Sequence, residues 1–343
     1  MRILQIGYAQ QRRFGDLHAG TEFKLYNGLI RLNHQVIHYS DRDMAAFLAP
    51  FKMRDLGKTA SNKKLIETAT NYQPDMMLLG HCDIIKNETL DEIRRRVPKV
   101  RIAHRYLDPL FVPRNIETIL YRSHACDSIF ITTAGEELEQ FRGNRASIHF
   151  MPNPCCASYD CNNNSAKDDL PIDLFFCGNS EELSNRTETV NYLRKALAKD
   201  PVQFNTYGYG DTPNAWGYQY DQLLGQAKMG LNLNRQEQGY LYSSDRIAQL
   251  MGNGILAFVN RATQLNELIG EHHAAFFDTN DELLEKIRFF AANDSERKRV
   301  AEKGRRFYHK HFSAEKVAEY IISHTFGNGE SPLADKLEGL AQT

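Results

Sequence analysis

Apolar residues in this chain follow two rhythms that take turns. Short continuous runs such as Ile3-Leu4-Gln5-Ile6, Met76-Met77-Leu78-Leu79 and Leu174-Phe175-Phe176-Cys177 predict strands buried on both faces. Between them, apolar residues recur at helical spacing, as with Phe23, Tyr26, Leu29 and Leu32 after Gly20-Thr21. In the first half the alternation predicts strands over 3–7, 35–39, 76–79, 100–103 and 129–132. Helices are predicted to start at 20–21 and to span 63–70, 90–96 and 136–141. In the second half it predicts strands over 174–177, 202–207, 229–234, 255–259 and 275–277. Helices there are predicted over 187–198, 220–226, 281–292, 295–312 and 313–324. Repeated β-α units imply parallel, doubly wound sheets, so the fold class is α/β.

The rhythm breaks once. Residues 151–169 hold Pro152, Pro154, Cys155, Cys156, Cys161 and Asn162-Asn163-Asn164-Ser165 with no apolar period, which predicts a linker or exposed loop. A chain of 343 residues also exceeds what one core usually organises. The expected division is an N-terminal Rossmann-like domain (1–153), a linker or exposed loop (154–170) and a C-terminal Rossmann-like domain (171–312). A closing helix (313–326), able to pack back on the first domain, and a mobile polar tail (327–343) complete it. A deep cleft is expected between the two sheets. Ligands in such sheets sit beyond the C-terminal strand ends. That rule selects loops 7–20, 80–82, 104–109 and 133–135, then 178–186, 208–216, 234–246 and 260–264.

Composition narrows the class. Hydrophobic content of 42% with 25% charged residues is that of a globular protein. The chain enters a strand at once, and no apolar run is long enough to span a bilayer, so a cytoplasmic protein without a signal peptide is expected. Six cysteines, none in a C-x-x-C pair, fit reduced thiols and lack metal-ligand spacing. Residues 1–153 carry 22 Lys and Arg against 17 Asp and Glu, whereas the rest is net acidic. A mildly basic first domain is compatible with peripheral contact with the inner membrane face. No nucleic-acid partner is expected.

The strongest chemical signal lies in residues 229–260. A strand ends at Asn234, Ser243 and Ser244 are good N-cap types, Arg246 follows, and Asn253-Gly254 stops the helix. Hydroxyls, free N–H groups and a guanidinium within one turn predict an anion site for a phosphate or diphosphate. The alternative is an Arg246 that merely caps the helix or pairs with a surface carboxylate.

With these residues in place, the chain resembles GT-B glycosyltransferases, most closely the CgeB-like (spore-maturation-protein-like) group. The likeness covers most of the chain. It rests on Asp173 to Gly178 with Arg186 following, and on Leu231 to Asn234 followed by Arg246, Gln249 and Gly254. Residues 281–287 and Ala301, Gly304 and Arg305 add to it. The first half carries only the general GT-B pattern, for example at Leu32 to Val36. The resemblance implies two Rossmann-like domains, a nucleotide-diphosphate sugar donor, and an acceptor glycan or glycolipid of a bacterial surface polysaccharide. It departs from the family at Gln249, where Glu is usual, and at Leu241, where many retaining relatives have the first Glu of an acidic pair. Retaining or inverting chemistry therefore stays open.

The resulting donor-site expectation is Gly178, Arg186, Tyr209, Asn234, Ser243, Ser244, Arg246 and Gln249. Tyr209, between two glycines after a strand, is the aromatic ligand candidate, with Trp216 and Tyr218 read as packing residues. A general base is expected from the first domain, with Asp108 first and His18 second among Asp16, His18, His81, His104 and Asp108. Asp108 next to Pro109 also reads as a simple turn. Asp41-Arg42-Asp43 is a D-x-D but follows the second strand, too early for a metal-diphosphate role, so neither metal nor cofactor is expected. The other readings are a nucleotide-sugar epimerase of the same architecture and a non-catalytic nucleotide- or sugar-binding protein.

Overall fold

The structure, a computed structural model, describes residues 1–10, 20–180, 184–327, 329–331, 333, 334 and 337. They form two compact units. One comprises Met1–Pro152 with Ala314–Thr343, the other Asn153–Ser313.

The first unit carries strands β1 (Arg2–Ile6), β2 (Gln35–Tyr39), β3 (Met76–Leu79), β4 (Arg101–Tyr106), β5 (Ser128–Ile131) and β6 (Ser147–Phe150). Its helices are α1 (Thr21–Arg31), α2 (Asp41–Leu48), α3 (Lys58–Tyr72), α4 (Asn87–Arg96) and α5 (Pro113–Ser123). The second unit carries β7 (Ile172–Cys177), β8 (Phe204–Tyr207), β9 (Ala227–Asn232), β10 (Leu256–Asn260) and β11 (Ala275–Phe277). Its helices are α6 (Asn185–Ala196), α7 (Gly217–Leu224), α8 (Arg246–Gly252), α9 (Leu265–Ile269), α10 (Asn280–Ala292) and α11 (Asp294–His311). The last helix, α12 (Ala314–Phe326), belongs to the first unit and packs on α1. Gly28 permits that approach, because a Cβ there would lie 2.4 Å from the Ala314 carbonyl oxygen.

Both sheets are wholly parallel. The first runs β2-β1-β3-β4-β5-β6 and the second β8-β7-β9-β10-β11. Counted from its own first strand, each therefore starts 2-1-3, and its strand order reverses at one place: β1/β3 in the first unit and β7/β9 in the second. Open α/β sheets bind ligands at that reversal. β3 and β5 are buried at every residue, as helices on both faces require.

Several elements escape the apolar rhythm. The helix α2 starts at the Asp41-Arg42-Asp43 segment, where the apolar rhythm predicts no element, and places both carboxylates in its first turn. α5 starts on Pro113, a residue suited to the first helical position. β4 runs on to Tyr106, so His104 and Arg105 are buried strand residues and not the start of a loop. Residues 151–169, expected as a linker or exposed loop, mix exposed with buried positions. Cys155 and Cys156 are fully buried, and the Asn164 side chain donates to the carbonyls of Leu224 (2.7 Å) and Ala227 (2.8 Å). The segment seats against α8, where a Cβ on Gly252 would meet Asp160 Cβ at 2.7 Å. Side-chain amides replace the apolar period there, which is why periodicity does not find it.

Candidate active site

In the second unit, α8 is brought to the β7/β9 reversal by a missing side chain. A Cβ on Gly230 of β9 would lie 2.4 Å from Leu250 Cδ2, so α8 packs directly on the strand. Its first residue, Arg246, then reaches across the reversal. One terminal nitrogen donates to Leu233 O (3.1 Å) and Ser244 Oγ (3.2 Å), the other to Cys177 O (3.1 Å). The guanidinium carbon sits 4.7 Å from the centre of the Phe176 ring. Gly178 lies alongside, with a Cβ there only 3.3 Å from Nη2. These partners are two carbonyls, a hydroxyl and a ring, all neutral. Among the described residues no carboxylate forms an ion pair with Arg246. Burial lowers its pKa from arginine's ordinary value.

Arg186, buried on α6, donates to Asn179 O (2.7 Å), one residue beyond Gly178, and repels Arg246 electrostatically. Two cations thus share the rim. A carboxyl faces both: Glu237, whose oxygens accept from Asn234 N (2.9 Å) and Asn234 Nδ2 (3.1 Å). Burial pushes Glu237 up to about 7, against the opposing pull of Asn234, Arg246 and Arg186.

The other donor-site expectations land as follows. Asn234 is buried, and its Oδ1 accepts from Ser244 N (3.3 Å), so it braces the loop. Ser243 is buried against Asn232, and its carbonyl accepts from Asn153 Nδ2 (2.7 Å). Neither serine is the N-cap. That place is taken by Asp245 in a helical conformation, without a side-chain cap, and the Ser244 hydroxyl serves Arg246 instead. Gln249 is buried, accepts from Tyr220 Oη (2.7 Å) and donates to Asp245 Oδ2 (3.3 Å). The aromatic expectation reverses. Tyr209 is 1% exposed, packs on Phe176 and donates to Asn179 O (3.3 Å), whereas Trp216 is 47% and Tyr218 69% exposed. A residue flanked by glycines follows the strand into the core, while Trp216 and Tyr218 stand at the start of α7.

In the first unit, a cavity of about 480 Å³ opens at the ends of β3 and β4, lined by residues that include Glu22, Arg42, His104, Arg105, Asp108 and Arg114. Arg105 is buried and forms an ion pair with Glu22, whose Oε1 also accepts from His81 N (3.2 Å). Burial alone would raise Glu22, but Arg105 together with the backbone N–H groups of His81 and Glu22 outweighs it and holds the carboxyl below its ordinary value. Cβ atoms on Gly7 and Gly80 would lie 3.1 Å from Glu22 Cγ and 2.7 Å from Arg105 Nη2, so this pair fills the β1/β3 reversal. Arg42 donates to Asp83 Oδ1 (2.7 Å) and to His81 Nε2 (2.7 Å), so His81 accepts at that nitrogen. His104 is buried, and burial with Arg122 and Arg105 nearby holds it well below its ordinary pKa. Asp108 is exposed at the cavity wall beside Tyr106, which burial and that carboxylate push up to about 12. Asp16 and His18 lie outside the described residues. Asp41 of the D-x-D is fully buried, and Asp43 accepts from Ser40 Oγ at 2.5 Å.

Glu237, Phe176 and Asn179 in the second unit, and Glu22, Arg42 and Arg105 in the first, were not legible as site residues. Glu237 lies in an aperiodic loop. Glu22 and Arg105 meet only because α1 begins at the sheet edge where β4 ends.

Residues 186–323 match the family model described as glycosyl transferase-like. No sequence among curated proteins matches the chain. Solved structures share its fold. Anabaena Alr3699/HepE, in complex with UDP and glucose, is 11% identical with a TM-score of 0.57, covering 96% of this chain and 100% of its own. Sucrose-phosphate synthase from Thermosynechococcus elongatus is 12% identical with a TM-score of 0.57, covering 96% and 98%. A Listeria monocytogenes protein assigned as a UDP-N-acetylglucosamine 2-epimerase is 10% identical with a TM-score of 0.56, covering 96% and 98%. The two parallel-sheet units are those of the GT-B fold.

Proposed function

We propose that this protein is a glycosyltransferase whose second unit holds the diphosphate of a nucleotide-activated sugar at Arg246, with Arg186 beside it. The observation that carries the reading is that the direct partners of Arg246 at the β7/β9 reversal are all neutral. A half-buried guanidinium hydrogen-bonded only to carbonyls and a hydroxyl, with a ring beneath it and no ion-pair partner among the described residues, retains charge with which to attract an anion. When the glycosidic bond breaks, charge grows on the leaving diphosphate, and fixed cations stabilise it without reorganising. This reading needs no metal. The family match over 186–323, which includes both arginines, supports it, as do structural neighbours solved with UDP and with UDP-glucose.

The acceptor, a glycan or glycolipid of surface polysaccharide assembly, is assigned to the first unit's cavity. Asp108 is the base for its hydroxyl, since it is exposed at the wall whereas His104 is buried with a depressed pKa. Gln249, tied to Tyr220 and Asp245, acts on the donor through the start of α8.

A thermal-shift panel of nucleoside diphosphates tests the donor reading, because a ligand bound only to the native state raises the melting point. No shift with any of them would remove it. Incubation with nucleotide sugars then separates the activities. Sugar transfer or donor hydrolysis supports the transferase, and free epimerised nucleotide sugar supports the epimerase suggested by the Listeria neighbour. Binding without turnover would leave a non-catalytic nucleotide-binding protein.

A further inference from the structure

The helix α2 is amphipathic the wrong way round. It buries Asp41, Asp43, Ala45 and Ala46 and turns Phe47 (78% exposed) and Leu48 outward. The two short 3₁₀ turns that follow, Pro50–Lys52 and Arg54–Gly57, continue the display with Phe51 (93% exposed), Met53 and Leu56. Five large apolar side chains within ten residues face outward among the described residues, whereas a scattered exposed apolar residue is ordinary.

The backbone is shaped to present them. Phe51 and Lys52 both adopt left-handed φ values, 54° and 56°, which side-chain-bearing residues rarely hold. The segment is also anchored. Gly57 lies so close to α2 that a Cβ would sit 1.8 Å from the Ala45 carbonyl oxygen. An apolar display on a strained but firmly seated turn has an occupant outside the unit.

Charge selects that occupant. Lys52, Arg54 and Lys58 stand among the apolar side chains, with Lys63 and Lys64 exposed on the next turns of α3. Asp55 is the one carboxylate within 47–58 and pairs with Lys58 (2.7 Å) and Arg54 (3.9 Å), while Lys64 pairs with Glu67 (3.2 Å), so the cations still outnumber the carboxylates they meet. Two copies of the chain meeting through this surface would bring like charges together. A bilayer interface with anionic headgroups accepts both the aromatic side chains and the cations. We propose that residues 47–58 are a docking surface that seats the first unit on an anionic lipid membrane. This proposal stands independently of the donor site.

The test uses the full chain with phosphatidylcholine vesicles, with and without phosphatidylglycerol, read by co-sedimentation. Binding is expected to the anionic vesicles, to weaken with added salt, and to be far weaker on phosphatidylcholine alone. The double substitution Phe47→Ser with Phe51→Ser removes two rings already exposed to water. It is expected to lower partitioning about 10- to 100-fold with an unchanged melting temperature. Lys52→Glu with Arg54→Glu is expected to lower binding to the anionic vesicles only. Absence of vesicle binding, or binding that survives both double substitutions, overturns the proposal. So does a concentration-dependent dimer in analytical ultracentrifugation that the Phe47→Ser, Phe51→Ser protein loses.

Discussion

The two units share a strand order and place an arginine at the same topological point, yet they treat its charge in opposite ways. In the first unit Arg105 meets the carboxylate of Glu22 across Gly7 and Gly80. In the second Arg246 meets carbonyls, a hydroxyl and a ring across Gly178. The first arrangement closes on itself, since the carboxylate cancels the charge where it arises. The second leaves a half-buried cation whose direct partners are dipoles and a ring. The lesson is that topology makes a place for a ligand, while the sign of a single neighbour decides whether that place attracts an anion.

The largest effect expected from breaking this contrast is in the first unit. Glu22→Gln keeps the shape but leaves Arg105 buried without its counter-charge. It should cost about 3–5 kcal/mol in denaturant unfolding. The sign with pH follows from a carboxyl held below its ordinary value. The pair's stabilisation is complete above the unfolded pKa near 4.5 and fades as pH falls through the lower folded value. An unchanged unfolding midpoint would mean that Arg105 is not balanced by Glu22.

Next is the second unit. Arg246→Ala should weaken nucleoside diphosphate binding about 10- to 150-fold by calorimetry, the worth of one charge-assisted contact. Arg246→Lys should restore part of the loss, since it returns the charge without the planar fork. Equal affinity in wild type and alanine variant would erase the distinction between the units.

A smaller effect follows from Glu237, raised to about 7. Below that pH it is protonated and leaves the rim more positive. Above it, a carboxylate faces the same cations as the diphosphate. Binding should weaken several-fold as pH rises from 6 to 8, to an extent on the order of one pKa unit of interaction. Glu237→Gln should flatten that dependence; an equal slope in both proteins would place the titration elsewhere.

The smallest effect compares the glycines. Ala at Gly80 would press on Arg105 Nη2 at 2.7 Å and Glu22 Oε1 at 2.8 Å, whereas Ala at Gly178 meets Arg246 Nη2 at 3.3 Å. Gly80→Ala should therefore lower the melting temperature more than Gly178→Ala, which should shift diphosphate affinity by less than about tenfold. The reverse order would show that the first ion pair yields more readily than the second guanidinium.

The sequence by itself determined the two doubly wound sheets. Short continuous apolar runs such as Met76–Leu79, set between helical-period segments, mark strands covered on both faces, and the Asn253-Gly254 stop, with Gly254 at φ 70°, is a local steric matter. It also placed Arg246, Gly178 and Asn234 near one another, because all three follow strand ends in one sheet. Only the tertiary structure decided what each side chain does there. Tyr209 became core and Trp216 exposed, Ser244 came to serve Arg246 and not the helix end, and residues 151–169 were packed by side-chain amides. The difference has one physical cause. Periodicity records which backbone is buried, a short-range property of the chain. The charge of a site depends on pairs such as Glu22 with Arg105, which lie 83 positions apart and meet only once the sheet has formed.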